Sequence, residues 1–380
     1  MSWKENLRGG ISELTALRLF DYGSAGPDLA RLDCNELALA PTNDEMETFV
    51  RALRGVFVHR YPDVSGLPLR EALAARWRIE PDEILLGNGS VENLAMLMTA
   101  FGAGSHGAPA KVLYPDPSFP YYEVVARSHG VKPVPVPLDA NFQLDEARLA
   151  RSVDEDRPAL AIFASPNNPT GNRFDPDVLE RLARRLDAAF VVDEAYADFD
   201  GRTMLSQARG TPGLFVMRSL SKVGLAGLRL GALVGTRKAV AEIDKVRLPW
   251  NVSAVAIALG CAALACPDFI ERRVRTVVEL RHGLASALST IPGLIVYPSD
   301  ANFLLVRAPA DASEIAHRLL QSGVLVKDVS RPGLLERCLR ITVGTASENE
   351  RCVKALRHHL EASRAIDSGR LGFELGRNPM

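Results

Sequence analysis

A lysine set in an apolar, glycine-containing stretch is the most chemically suggestive feature of this 380-residue chain. Lys222 lies in Arg218-Ser219-Leu220-Ser221-Lys222-Val223-Gly224-Leu225-Ala226-Gly227-Leu228-Arg229-Leu230-Gly231. Surface lysines seldom sit in such a stretch. A desolvated amine holds its proton less tightly, and the neutral form can condense with a carbonyl to give a Schiff base. Three further clusters carry chemistry. Gly87-Asn88-Gly89-Ser90-Val91-Glu92 places small residues where a helical pattern begins. There, backbone N–H groups and the helix terminus favour an anion such as phosphate. Ser165-Pro166-Asn167-Asn168-Pro169-Thr170-Gly171 has the composition of a rigid turn. Asp193-Glu194-Ala195-Tyr196 puts a carboxylate directly after the apolar run Phe190–Val192, with a tyrosine three residues on.

These clusters need elements to position them. Ile84–Leu86, Lys111–Tyr114, Ala159–Ala164, Phe190–Val192, Leu214–Met217 and Gly231–Val234 read as buried strands. Helical patterns alternate with them at Val91–Phe101, Pro120–Ser128, Pro176–Leu186 and Lys238–Val246. This alternation predicts an α/β fold with a mostly parallel central sheet covered on both faces. In such folds, ligands bind beyond the carboxyl ends of the strands, and each cluster follows a predicted strand. Together the four strand ends offer an anion cradle, an asparagine, a carboxylate with a tyrosine, and a Ser/Lys/Arg group. Pyridoxal 5′-phosphate matches them, with its phosphate, phenolic oxygen, ring nitrogen and lysine-reactive aldehyde.

After about residue 247 the pattern changes. Pro267–Thr290 and then Phe303–Val306, Ser313–Gln321, Val324–Val326, Leu339–Val343 and Glu348–Leu360 suggest a smaller α+β domain with three short strands. The expected division is a large cofactor-binding domain over 36–247. Residues 248–380, with the N-terminal segment 1–35, form the small domain. The tail after Ala362 is expected to be loosely held.

Lys plus Arg (45) nearly balances Asp plus Glu (46), giving a net charge of −1. A general nucleic-acid binder would carry a basic excess. The five cysteines, at 34, 261, 266, 338 and 352, form no CxxC pair or zinc-finger spacing, so no metal site is expected. They read as the reduced thiols of a cytoplasmic protein. The apolar run Val252–Cys266 is shorter than the roughly 20 residues a membrane helix requires, so no membrane association is expected. No strand-linked GxGxxG with a later ribose-binding acid appears, which argues against a nicotinamide dehydrogenase.

At SPNNPTG (165–171), VDEAY (192–196) and SLSKVGLAGLRLG (219–231) the chain resembles the fold-type I pyridoxal-phosphate enzymes, specifically the class I/II aminotransferases. RYPD (60–63), NFLLV (302–306) and CLRITVG (338–344) extend the resemblance over about residues 32–360. It implies that Lys222 is the Schiff-base lysine and proton carrier, that Asp193 pairs with the ring nitrogen, and that Asn168 and Tyr196 bond the phenolic oxygen. It further implies that Ser219, Ser221, Arg229 and the Gly89, Ser90 and Val91 backbone hold the phosphate. Phe119 would stack on the ring, with Tyr122 as the alternative. Tyr61 would reach a neighbouring subunit's phosphate site, making a homodimer with shared active sites. Arg340 would grip a substrate anion, assisted by Lys327, while Asn35 would lie in the substrate region. The implied reaction passes nitrogen from a small-molecule amino donor to a keto acceptor, between glutamate and an imidazole-bearing phosphate. Decarboxylation of a phosphorylated amino acid and transamination of an aromatic one stay open. The chain departs from the family in Asn35-Glu36-Leu37-Ala38, Val91 and Trp250. The first and last of these lie where the family shapes substrate recognition.

Overall fold

The computed structural model describes residues 9–16, 28–103 and 109–375, the last fourteen by their backbone only. In chain order the strands are β1 (Ala30–Leu32), β2 (Ile84–Asn88), β3 (Lys111–Asp116), β4 (Lys132–Pro137), β5 (Leu160–Ala164) and β6 (Ala189–Asp193). They continue as β7 (Leu214–Ser219), β8 (Leu230–Val234), β9 (Ile295–Val296), β10 (Phe303–Arg307), β11 (Val324–Asp328) and β12 (Cys338–Thr342). The first helices are α1 (Asn43–Arg54), α2 (Leu67–Trp77), α3 (Ser90–Phe101), α4 (Tyr121–Ser128), α5 (Glu146–Asp156) and α6 (Pro176–Arg185). The remainder are α7 (Leu205–Gly210), α8 (Arg237–Asp244), α9 (Ala254–Ala265), α10 (Phe269–Ser289), α11 (Ala312–Gln321) and α12 (Ala346–Leu375).

Two compact units result. The first holds residues 9–16, 39–276 and 299–301, and the second holds 28–38, 277–298 and 302–375. The first unit is built on a seven-stranded sheet, ordered β2-β8-β7-β6-β5-β3-β4. All neighbours are parallel except at β8, which runs antiparallel to both β2 and β7. Every residue of β5, β6, β7 and β8 is buried, which is why these strands read as unbroken apolar runs. β4 was not anticipated. Its sequence, KPVPVP, contains three prolines, which a central strand could not accommodate, but β4 is an edge and pairs only with β3.

The first unit extends past the expected boundary at 247. Ser253 caps α9 by accepting a hydrogen bond from the Ala256 N–H, and α9 packs on α1 and α2. The contact is close: a Cβ at Gly260 would lie 2.7 Å from Leu230 Cδ1 and 3.0 Å from Leu69 Cδ1. α10 adds an ion pair. Arg273, only 1% exposed, grips Glu45 of α1 through two hydrogen bonds of 2.9 and 2.8 Å. Residues 248–276 therefore cluster with the large unit. The N-terminal turn Gly9–Ile11 also belongs there, packed on α4.

The second unit carries a five-stranded sheet, ordered β1-β11-β12-β10-β9, with α11 and α12 packed against it. Three strands were expected. The two extra ones, β1 and β9, have three and two residues, too short to show a period. The helical pattern seen as far as Leu360 continues along the backbone to Leu375.

Candidate active site

The first unit brings the four clusters to the carboxyl end of its parallel strands. At the end of β2 the chain turns through Gly89, at φ +83°, into α3, and no side chain caps this helix start. Ser90, a natural cap, is instead the first helical residue. Across the β2–β8 pair, Gly87 faces Gly231. A Cβ on Gly231 would lie 2.4 Å from the Ser90 nitrogen, and one on Gly89 would lie 2.5 Å from an Arg229 guanidinium nitrogen. Glycine thus lets the 89–91 backbone pack directly on β8 and under the Arg229 guanidinium, which also donates to Ser221 Oγ at 3.1 Å. Ser219 Oγ accepts from the Ser221 N–H at 3.3 Å. Backbone donors at an uncapped helix start, two hydroxyls and a guanidinium suit a phosphate.

The carboxylate lies two strands away. Asp193 ends β6 with 5% exposure. It accepts from Tyr122 Oη at 2.7 Å and from the Ala195 N–H at 3.1 Å. Burial is the main influence, pushing its carboxyl up to about 6 against the pull of those bonds. Tyr122, fully buried, has its own hydroxyl pushed upward by burial and by the Asp193 charge. Tyr122 therefore supports the carboxylate through its hydroxyl. Phe119 is half-buried and stacks on Tyr121, with centroids 5.4 Å apart at 22°.

Lys222 lies in a short 3₁₀ turn after β7, half-buried, with its ammonium 5.8 Å from the centre of the Tyr196 ring. Its charge favours the ionised form of Asp193. Asn168 is buried in the turn after β5. Its neighbour Asn167 secures that turn, accepting from Ser118 Oγ at 2.7 Å and donating to Pro117 O and Thr170 Oγ1. A second tether was not anticipated. Glu92 accepts from the Asn88 N–H and from Asn251 Nδ2, which also donates to Leu86 O, so Trp250-Asn251 is tied to the anion cradle. The signal was visible as a glutamate in the first turn of α3 beside an aromatic–Asn pair, but nothing in the sequence joins the two.

Tyr61 is 77% exposed and stacks on Trp250, centroids 4.3 Å apart. Asn35, Lys327 and Arg340 belong to the second unit. Lys327 and Arg340 face each other across β11 and β12. Arg340 donates to the Asp33 carbonyl. Asn35, buried and at φ +53°, accepts from Asn302 Nδ2 at 3.0 Å and exchanges bonds with Thr342 Oγ1. Among the described residues, no group of His, Cys, Asp and Glu could hold a metal.

A mostly parallel sheet with a lysine, a buried carboxylate and a cluster of anion-binding donors at its strand ends defines a class. The family model for aminotransferase class I and II matches residues 27–356, and the chain belongs to that family. More particularly, it is 38% identical to histidinol-phosphate aminotransferase 2 of Nitrosococcus oceani over 92% of this chain and 96% of that one. It is 36% identical to histidinol-phosphate aminotransferase of Aquifex aeolicus over 88% and 94%. Histidinol-phosphate aminotransferase of Sinorhizobium meliloti, solved in complex with pyridoxal-5′-phosphate, shares the fold. Its TM-score is 0.82 at 24% identity, covering 93% of this chain and 97% of that one.

Proposed function

We propose that this chain is a pyridoxal 5′-phosphate-dependent aminotransferase that converts L-histidinol phosphate and 2-oxoglutarate into imidazole acetol phosphate and L-glutamate. The observation that carries this reading is the site itself. Lys222, Asp193 with Tyr196, and the α3 start with Arg229 stand at the ends of adjoining strands in a chain related to histidinol-phosphate enzymes over nearly its whole length. The site fits the cofactor, since the uncapped start of α3, the Ser219 and Ser221 hydroxyls and the Arg229 guanidinium are the donors its phosphate needs.

When bound, the cofactor supplies an aldehyde carbon and an electron-accepting ring. The residues do the rest. Arg229, Ser219, Ser221 and the 89–91 backbone hold the phosphate. Asp193 takes the charged ring nitrogen, and Asn168 and Tyr196 bond the phenolic oxygen. Phe119 covers a ring face. Lys222 Nζ would take the proton from the substrate carbon that bears the amine and deliver it to the cofactor carbon that receives the nitrogen. Arg340, with its planar fork, binds glutamate's carboxylate or the substrate phosphate in turn, and Lys327 adds positive charge. Asn35 holds the segment beside Arg340.

The active form is a homodimer. Val58, at 85% exposed, Phe57, Tyr61, Leu248 and Trp250 present apolar side chains that a partner subunit would cover. Tyr61 then serves the partner's phosphate site. The stack of Trp250 on Tyr61 also accounts for that tryptophan without an aromatic substrate. Five cysteines outside any disulfide fit a cytoplasmic enzyme. Among the described residues, no single helix is long and apolar enough to cross a membrane.

A half-reaction screen tests the reading. Cofactor-loaded protein is mixed with L-histidinol phosphate, L-glutamate, O-phospho-L-threonine or L-phenylalanine, and the absorbance of the bound cofactor is followed. Histidinol phosphate and glutamate should bleach it fastest. Carbon dioxide release from phosphothreonine, or faster bleaching by phenylalanine, would replace this function with another.

A further inference from the structure

One buried charge cluster begins at the residue next to Asp193. Glu194 follows Asp193, is 1% exposed and is aligned with β7 through its N–H bond to Met217 O at 2.8 Å. Its carboxylate accepts from Thr203 Oγ1 and from the Met204 N–H, both at 2.6 Å. Arg218 Nε stands 3.1 Å from it, in ion-pair contact but without an aligned hydrogen bond. Arg218 itself precedes Ser219, so the pair joins the residue after Asp193 to the residue before the phosphate-binding serine. Arg218 also reaches Asp198 at 3.4 Å, and Asp198 reaches Arg76, which is paired with Glu271. The charges thus run from the back of the site towards the surface.

A buried ion pair is a poor source of stability, because desolvation offsets most of the attraction. Its position suggests another use. A full negative charge one residue from Asp193 disfavours a second negative charge there, unless a cation balances the first. We propose that Arg218 is a positioning residue which, by neutralising Glu194, keeps Asp193 negatively charged and so able to take a protonated ring nitrogen. This rests on the assignment of Asp193 above and extends it to two residues outside the site.

The groups acting on Asp193 are Tyr122 from α4, Glu194 from its own strand end, and Lys222 from the turn after β7, while Tyr196 acts on Tyr122. Burial pushes the Glu194 carboxyl up, and the charges of Arg218 from β7 and of Arg173 from the loop after β5 pull it back towards its ionised form. Arg173 is itself engaged by Asp200, which leaves Arg218 as the direct counter-charge.

The test measures binding of pyridoxamine 5′-phosphate to apoprotein from pH 5 to 8.5. This probe has no aldehyde, so it cannot bond covalently to Lys222. In the wild type, affinity should fall on the acid side as Asp193 takes up a proton. Arg218→Gln should move that acid midpoint up, and Glu194→Gln should move it down, each by about one pH unit. Arg218→Lys, which keeps the charge, should leave it in place. A purely structural role would weaken binding at all pH values in both variants. An unmoved midpoint in folded Arg218→Gln, or shifts of the same sign in both, overturns the inference. If Arg218→Gln does not fold, the downward shift in Glu194→Gln and the Arg218→Lys result decide the matter. An Asp193→Asn variant separates the two levels. If it binds the probe as tightly as wild type, with the same pH profile, the functional reading fails. If only the Glu194 and Arg218 variants are silent, this inference alone fails.

Discussion

Two carboxylates of the first unit, Glu45 and Asp193, are both buried, yet their surroundings push them in opposite directions. Glu45 is gripped by the Arg273 fork and touched by Arg272, and that guanidinium bonding is the main cause holding its carboxyl down at about 2. Asp193 has a hydroxyl and one N–H as its hydrogen-bond donors, and burial lifts it to about 6. The first pair is complete within the chain and locks α1 to α10. The second is left short of positive charge, as expected of a group that meets its cation in a ligand. The difference separates a carboxylate used for assembly from one kept for binding.

The comparison can be broken by exchanging the consequences. Asp193→Ala should lower turnover about 1000-fold, roughly 4 kcal/mol, because transition-state charge loses its main electrostatic support. The melting temperature of the apoprotein should hold steady or rise. Near-wild-type turnover in steady-state assays would remove Asp193 from the site.

Glu45→Ala should do the reverse. Stranding Arg273 costs about 3 kcal/mol in denaturant unfolding, while turnover per folded molecule stays within about twofold. An undiminished unfolding midpoint would mean that Arg273 finds another partner.

The acid limb sharpens the contrast. Asp193's folded value of about 6 lies above the ordinary 3.8, so the folded state keeps a proton that the unfolded chain has released. Its contribution therefore lowers apoprotein stability as pH rises from about 4 to about 6. Glu45, at about 2 against an ordinary 4.5, contributes stability above about 4.5 that is lost as pH falls towards 2. Unfolding curves of Asp193→Asn and Glu45→Gln, each subtracted from wild type across pH 3–7, should each change by about 2 to 3 kcal/mol, in opposite directions. Slopes of the same sign would erase the distinction.

The smallest effect concerns the hydroxyl that Asp193 does have. Tyr122→Phe removes a bond to a charged acceptor, and affinity for pyridoxamine 5′-phosphate should weaken about tenfold, about 1.5 kcal/mol. No change by titration would show that the Ala195 N–H alone holds the carboxylate.

Much of the sheet was legible because its central strands are buried on both faces, so β5 to β8 stand out as apolar runs against polar turns. β4 was hidden by its prolines, and β1 and β9 by their brevity. α1 and α2 were also missed, although Thr42 and Glu45 form a complete capping box at the start of α1. Two readings would not have come from any local pattern. Tyr122 was read as a possible ring-stacking residue, since an aromatic near a ligand site suggests stacking. Its hydroxyl goes to Asp193, 71 residues away. The Glu92–Asn251 tether likewise spans 159 residues.

The sequence by itself determined which side chains carry reactive groups and that they follow strands, because residue type and apolar runs are local properties written along the chain. Tertiary structure alone decided how charged those groups are and what holds them. Burial, opposing charges and hydrogen-bond partners come from strands and helices far apart in sequence, and they make one buried carboxylate a clamp and another a receptor.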